Sequence, residues 1–113
     1  MTLEITDQIK SDTCALFTLD GRLNAVSALE LKALIKEFVK KGYFQIVLDL
    51  SKVSFLDSSG MAALVAGLKE TRQAGGTLKI CGLTEQASTV LRITMLDRIF
   101  ELYPDAEQAI KAL

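Results

Sequence analysis

A chain of 113 residues, half of them apolar, is long enough for one domain with a single core and short for two. Thirteen basic and fourteen acidic residues leave a net charge of −1, and five Phe and two Tyr are the only aromatic residues, which excludes a basic or base-stacking nucleic-acid surface. No apolar run approaches the ~20 residues that span a bilayer, and the acidic, alternating start Met1–Asp7 is unlike a signal peptide. A cytoplasmic protein with no membrane contact is expected. Cys14 and Cys81 lie far apart in apolar segments and read as buried free thiols.

In chain order, Leu3 to Ile9 alternates apolar and polar residues and reads as a half-buried strand. Ser11-Asp12 makes a turn, and Thr13 to Leu19 returns as the second arm of a hairpin. Asp20-Gly21 closes that arm, and Gly21-Arg22-Leu23-Asn24 leads to the first helix. Ser27 and Glu30 fit a capping box, with Asn24 as an alternative cap one turn earlier. Ala28, Leu31, Ile35 and Phe38 share one helical face, and Lys40-Lys41-Gly42 is a stop signal.

Ile46 to Leu50 is almost continuously apolar, as a strand covered on both faces would be. A short connection then leads to Asp57-Ser58-Ser59-Gly60, three helix-capping residue types and a glycine. The helix they open runs to about Gln73, where Ala74-Gly75-Gly76 breaks it. Met61, Leu64, Val65 and Leu68 share one side of it; Gly60, Ala63 and Gly67 form a small-residue side suited either to close packing or to a partner. Met61, beside the serines, is assigned equally to partner contact and to core. Thr77 to Cys81 gives a further strand, and Thr84 caps a third helix to about Leu91. Ile99 to Tyr103 is extended. Pro104 suits the first turn of a last helix over 105–113, with Ala106, Ala109, Ile110 and Leu113 on one side. The expected fold is α/β: one mixed sheet of four to five strands with about four packed helices.

Enzyme chemistry finds little support in this inventory. The chain holds no histidine, so a Ser-His-Asp triad is impossible, and the nucleophile-elbow glycine pattern is missing. A small serine hydrolase remains the weakest reading. No acidic cluster has metal-ligand spacing, and Gly75-Gly76 and Gly82 follow neither nucleotide-binding pattern, so no metal and no cofactor are expected. The serine pair fits better as a substrate than as a catalyst. A helix start has unpaired N–H groups and a partial positive charge, so a phosphate on a serine there is well tolerated. The alternative is simply a well-capped helix.

The run Asp49-Leu50-Ser51, Val53, Phe55-Leu56-Asp57-Ser58-Ser59-Gly60 resembles the signature of the STAS domains found in stand-alone bacterial anti-sigma factor antagonists. The resemblance implies one STAS domain over residues 1–113 that is not an enzyme. It implies phosphorylation of Ser59, with Ser58 as the alternative, by a partner kinase that is itself the anti-sigma factor. A separate phosphatase would reset the switch, and a monomer is expected. Asp57, Ser58, Gly60, Met61, Gly21, Arg22 and Asn24 would surround the phosphosite and meet the partner. A signalling scaffold or sensor of a small anion or nucleotide, built on the same fold, is the second reading. The family usually carries an aspartate in the G-x-L-D corner; here Asn24 takes that place, which bears on kinase recognition and phosphate accumulation.

Overall fold

The computed structural model describes residues 3–113; Met1 and Thr2, where the N-terminal reading begins, lie outside the described residues. Five strands, β1 (Leu3–Ile9), β2 (Cys14–Leu23), β3 (Gln45–Leu56), β4 (Thr77–Cys81) and β5 (Glu101–Tyr103), form one sheet in sequence order. The β1–β2 pair is antiparallel and the other pairs are parallel, so the sheet is mixed as expected. Four helices accompany it: α1 (Ala25–Lys40), α2 (Ser58–Gln73), α3 (Glu85–Ile93) and α4 (Ala106–Lys111). A single 3-10 turn, Leu96–Arg98, joins α3 to β5.

Strand alternation sends side chains to two unequal layers. Ala15, Phe17 and Leu19 of β2 and Ile46, Leu48 and Leu50 of β3 face α1, α2 and α3 and form the main core. Phe17 and Phe38 meet edge-on there, with ring centroids 4.9 Å apart. Leu16, Val47 and Cys81 point the other way, into a small cluster closed by Ala109 of α4. Both cysteines are free and buried. Burial, reinforced by Asp49 and Asp105, pushes the Cys81 thiol up to about 12, so it stays protonated and unreactive.

Several boundaries differ from the sequence reading, each for a local reason. The strand β2 does not close at Asp20-Gly21 but continues to Leu23, with register shifts around Asp20 and Gly21 where Gly21 takes φ +124°. Only glycine adopts that backbone cheaply, so the residue that looked like a turn lies inside β2, at a register shift where β3 carries the extra residue. Likewise β3 absorbs the supposed connection, running on through Ser51 to Leu56. Asn24, not Ser27, caps α1: its Oδ1 accepts from the Val26 and Ser27 N–H groups, while Ser27 Oγ accepts from the Asn24 N–H at 3.0 Å. Ser27 is buried and also donates to the Arg22 carbonyl, so it belongs inside the first turn, and Glu30 stays exposed. Asp105 caps α4, which places Pro104 before the cap rather than in the first turn, and Leu113 is exposed rather than packed.

At the short β5 edge, Lys79 is only 4% exposed yet charged. Its ammonium lies 2.9 Å from Glu101 and donates to the Tyr103 hydroxyl at 3.2 Å. Burial opposes the charge, but these two partners outweigh it and raise the Lys79 pKa; the hydrogen bond from Lys79 in turn holds the Glu101 carboxyl below its usual value. The carboxylate's contribution is therefore present above its unfolded value of ~4.3 and fades as pH falls through the folded value. Glu101→Gln should cost up to about 1 kcal/mol at neutral pH, the range for a pair with one solvated member. Thermal denaturation of both proteins from pH 7 to pH 3 should show the gap closing with acid; a gap independent of pH contradicts this assignment.

Candidate functional site

The site begins with the unequal lengths of the strands. Pairing of β3 with β4 stops at Asp49–Cys81, whereas its pairing with β2 continues to Leu23–Leu56. The two strands therefore project past the sheet as a ribbon, and both lead directly into helices. The start of α1 after Leu23 and the start of α2 after Leu56 are brought side by side.

That junction is tight. The Asp57 N–H donates to the Leu23 carbonyl at 3.4 Å. Gly60 is packed so closely that a Cβ there would sit 2.5 Å from the Leu23 carbonyl oxygen and 2.7 Å from Leu56 Cδ1. Further along the same side of α2, Ala63 and Gly67 are buried, and a Cβ at Gly67 would meet Ile35 Cδ1 and Leu78 Cδ1 at 2.8 and 2.9 Å. The small-residue side thus serves close packing against the sheet and α1, not partner contact.

Asp57 caps α2, its Oδ1 accepting from the Gly60 N–H at 3.0 Å. The N–H groups of Ser58 and Ser59 meet no acceptor among the described residues, and neither serine hydroxyl makes a hydrogen bond there. Ser58 is exposed and Ser59 half-buried. Successive helical residues point about 100° apart, so the two hydroxyls serve different sides of α2. Ser58 lies with Met61, Ala62, Val65 and Lys69 along a groove of about 440 Å³ that Thr94 and Leu96 close from the far side. Ser59 does not line that groove; Ala66, which stands on its side of the helix, lines both the groove and a second recess with Lys32 and Lys36 of α1.

The remaining residues of interest divide clearly. Gly21, Arg22 and Asn24 are brought to the ribbon tip beside α2, and the exposed Arg22 guanidinium stacks 4.4 Å above the Phe55 ring. Met61 is 9% exposed and packed in the main core, with its sulfur accepting a contact from Thr94 Oγ1 at 3.5 Å. Of its two assignments, core carries the greater weight, although its edge still lines the groove beside Ala62 and Val65. Val26 and Leu29, 72% and 68% exposed on the first turns of α1, add apolar surface next to the corner. Sequence reasoning missed these two, and also Gln86, whose side chain hydrogen-bonds the backbone of Leu56. Exposed apolar residues in an amphipathic helix leave no local signal, and a contact thirty residues away leaves none either.

Among the described residues, no group of three or more acidic, cysteine or histidine side chains could hold a metal ion, and no helix is long and apolar enough to cross a membrane.

Comparison with known proteins gives a consistent picture. The model of the STAS domain matches residues 4–109. A Bordetella bronchiseptica protein described as a candidate anti-sigma factor antagonist, BtrV, is 30% identical over 91% of this chain and 89% of its own length. The anti-sigma-B factor antagonist of Listeria monocytogenes is 29% identical over 73% of this chain and 72% of its own. Among solved structures, a candidate anti-sigma factor antagonist from Thermotoga maritima superposes with a TM-score of 0.88 at 28% identity, covering 96% of this chain and 92% of that one.

The two glycines of α2 separate backbone from side-chain crowding. At Gly60 the obstacle is a carbonyl oxygen that cannot swing aside, so Gly60→Ala should cost about 3 kcal/mol, the upper end of overpacking. At Gly67 the obstacles are terminal methyl groups, and a helix-propensity gain of ~1 kcal/mol offsets them. Chemical denaturation should place Gly67→Ala within about 1 kcal/mol of the parent; equal losses for the two variants would contradict the packing described.

Proposed function

The chain belongs to the STAS domain family, on the side of its anti-sigma factor antagonists, and from that premise we propose that it is a protein-binding switch thrown by phosphorylation of Ser59. Unmodified, it binds an anti-sigma factor that is also an ATP-dependent serine kinase, and a sigma factor is freed to direct transcription. The kinase then moves the γ-phosphoryl group of its ATP to Ser59 Oγ, the hydroxyl proton is lost to the kinase, and ADP leaves. The phosphorylated domain dissociates until a separate phosphatase restores it.

The observation that carries this reading is the corner itself. Ser59 has an unbonded hydroxyl at the start of a sixteen-residue helix, beside backbone N–H groups that Asp57 does not take. A phosphate would bring roughly −1.5 to −2 charges there. The helix end favours such charge by ~0.3–1 kcal/mol, so the domain itself tolerates the label. A partner packed over Val26, Leu29 and Ala62 would not, because it would have to desolvate that charge without a counter-ion. Ser58, Asp57, Gly60 and the tip residues Gly21, Arg22 and Asn24 form the immediate surroundings, with Met61 supporting them from beneath. In this reading the domain supplies the acceptor serine and the partner supplies the catalysis. Ser58 is the more exposed of the two serines, which makes it the competing acceptor.

After incubation with the cognate kinase and ATP, mass spectrometry should find phosphate on Ser59, and Ser59→Ala should abolish labelling; label confined to Ser58 would sink the assignment. Calorimetry tests the charge mechanism. Ser59→Asp should bind the anti-sigma factor more weakly than the parent, and the deficit should shrink with added salt because screening weakens an exposed charge. Ser59→Ala should retain binding. Equal affinity of Ser59→Asp and the parent at low salt would leave charge without a role.

A further inference from the structure

Beyond Asp49 the β3 strand loses its β4 neighbour, so one edge of its last residues faces no strand. At the end of that open edge, α3 supplies a substitute. The Leu56 N–H donates to Gln86 Oε1 at 2.9 Å, and Gln86 Nε2 donates to the Leu56 carbonyl at 3.0 Å. A primary amide sets its carbonyl oxygen and one of its two N–H donors side by side in a plane, and together they meet the N–H and C=O that a neighbouring strand would otherwise pair. Leu56 is fully buried and directly precedes Asp57, the cap of α2. The Gln86 pair is therefore the last hydrogen-bonded fixture on this side before the serines. Its partner on the other side is β2, through the Leu23–Leu56 pairing. Gln86 is itself held by the first turn of α3, where Thr84 Oγ1 accepts from the Ala87 N–H and Ala87 is buried.

We propose that Gln86 is a positioning residue for the phosphoacceptor corner. By closing the free edge of β3 at Leu56, it fixes where α2 begins and so presents Ser59 in one orientation to the kinase. It makes α3 a support of the site although no residue of α3 enters the serine motif. The functional half of this inference rests on Ser59 being the phosphoacceptor; the structural half does not.

Gln86→Met keeps the length of the side chain and removes both hydrogen bonds, whereas Gln86→Glu keeps only an acceptor for the Leu56 N–H. Asp105→Ala serves as the structural control, since it removes a helix cap of the same kind from α4 without touching α3 or Leu56. Amide hydrogen exchange in the free protein should be about tenfold faster at Leu56 and Gly60 in Gln86→Met, as expected when bonds of this kind are lost. Exchange at Leu48, inside the sheet, should not change. Gln86→Glu should fall between Gln86→Met and the parent. With kinase and ATP, the kcat for Ser59 labelling should fall about tenfold in Gln86→Met and far less in Asp105→Ala. Unchanged exchange at Leu56 and Gly60 overturns the positioning role. Faster exchange with an unchanged kcat overturns its link to phosphorylation, and so does an equal loss in Asp105→Ala. A parent that is not labelled at all overturns the reading of Ser59, while the exchange result still decides whether Gln86 holds the corner.

Discussion

Leu23 and Gly60 approach so closely that no side chain could stand between the carbonyl of one and the Cα of the other. This single approach locks the start of α2 onto the tip of the β2–β3 ribbon. Much else follows from it. The two strands must be long and paired to Leu23–Leu56, and they reach that pairing through two register shifts that add residues on β3, with Gly21 of β2 bending at φ +124° beside the second. The α1 helix must begin at once after Leu23, so Asn24 and Ser27 satisfy each other within one turn. The first turn of α2 is then pressed against backbone, leaving Ser58 and Ser59 on its outer side.

The consequence is electrostatic as well as geometric. Two helix starts lie side by side, each with the partial positive charge of an N-terminus. Asp57 uses its carboxylate on the Gly60 N–H, and Asn24 caps its own helix without adding a charge. Val26 and Leu29 leave apolar side chains exposed on the first turns of α1. Such a place can accept a phosphate without unfolding and can bury a partner when the phosphate is absent. Packing and exposure are thus divided among neighbouring residues: Gly60 and Met61 face inward, while Ser58 is exposed and Ser59 half-buried.

The sequence carried most of the fold because its apolar patterns are regular. Ala28, Leu31, Ile35 and Phe38 give α1, and Ile46 to Leu50 gives the buried part of β3. The run Asp57-Ser58-Ser59-Gly60 read as a helix start, and Asp57 caps the helix that it opens. What was not legible depended on tertiary neighbours. The stretch 51–56 looked like a connection because Ser51, Lys52 and Ser54 are polar, yet one face of it is solvated and Val53 and Leu56 fill the other. Ser27-Glu30 matched a capping box as well as Asn24-Ser27 did. Burial of Ser27 beneath the Arg22 carbonyl decided between them. Gln86 offered no local signal at all, because its value lies in the missing neighbour of Leu56.

The account rests on the phosphate acting at an unaltered corner, by charge, rather than by remodelling the fold. Backbone chemical shifts of the domain before and after enzymatic phosphorylation test this most directly. The account predicts changes confined to the ribbon tip and the first turns of α1 and α2, with the β2–β3 and β3–β4 pairing intact. Shifts spread through α3, α4 and the sheet, or loss of the Leu23–Leu56 pairing, would contradict it and make the switch conformational.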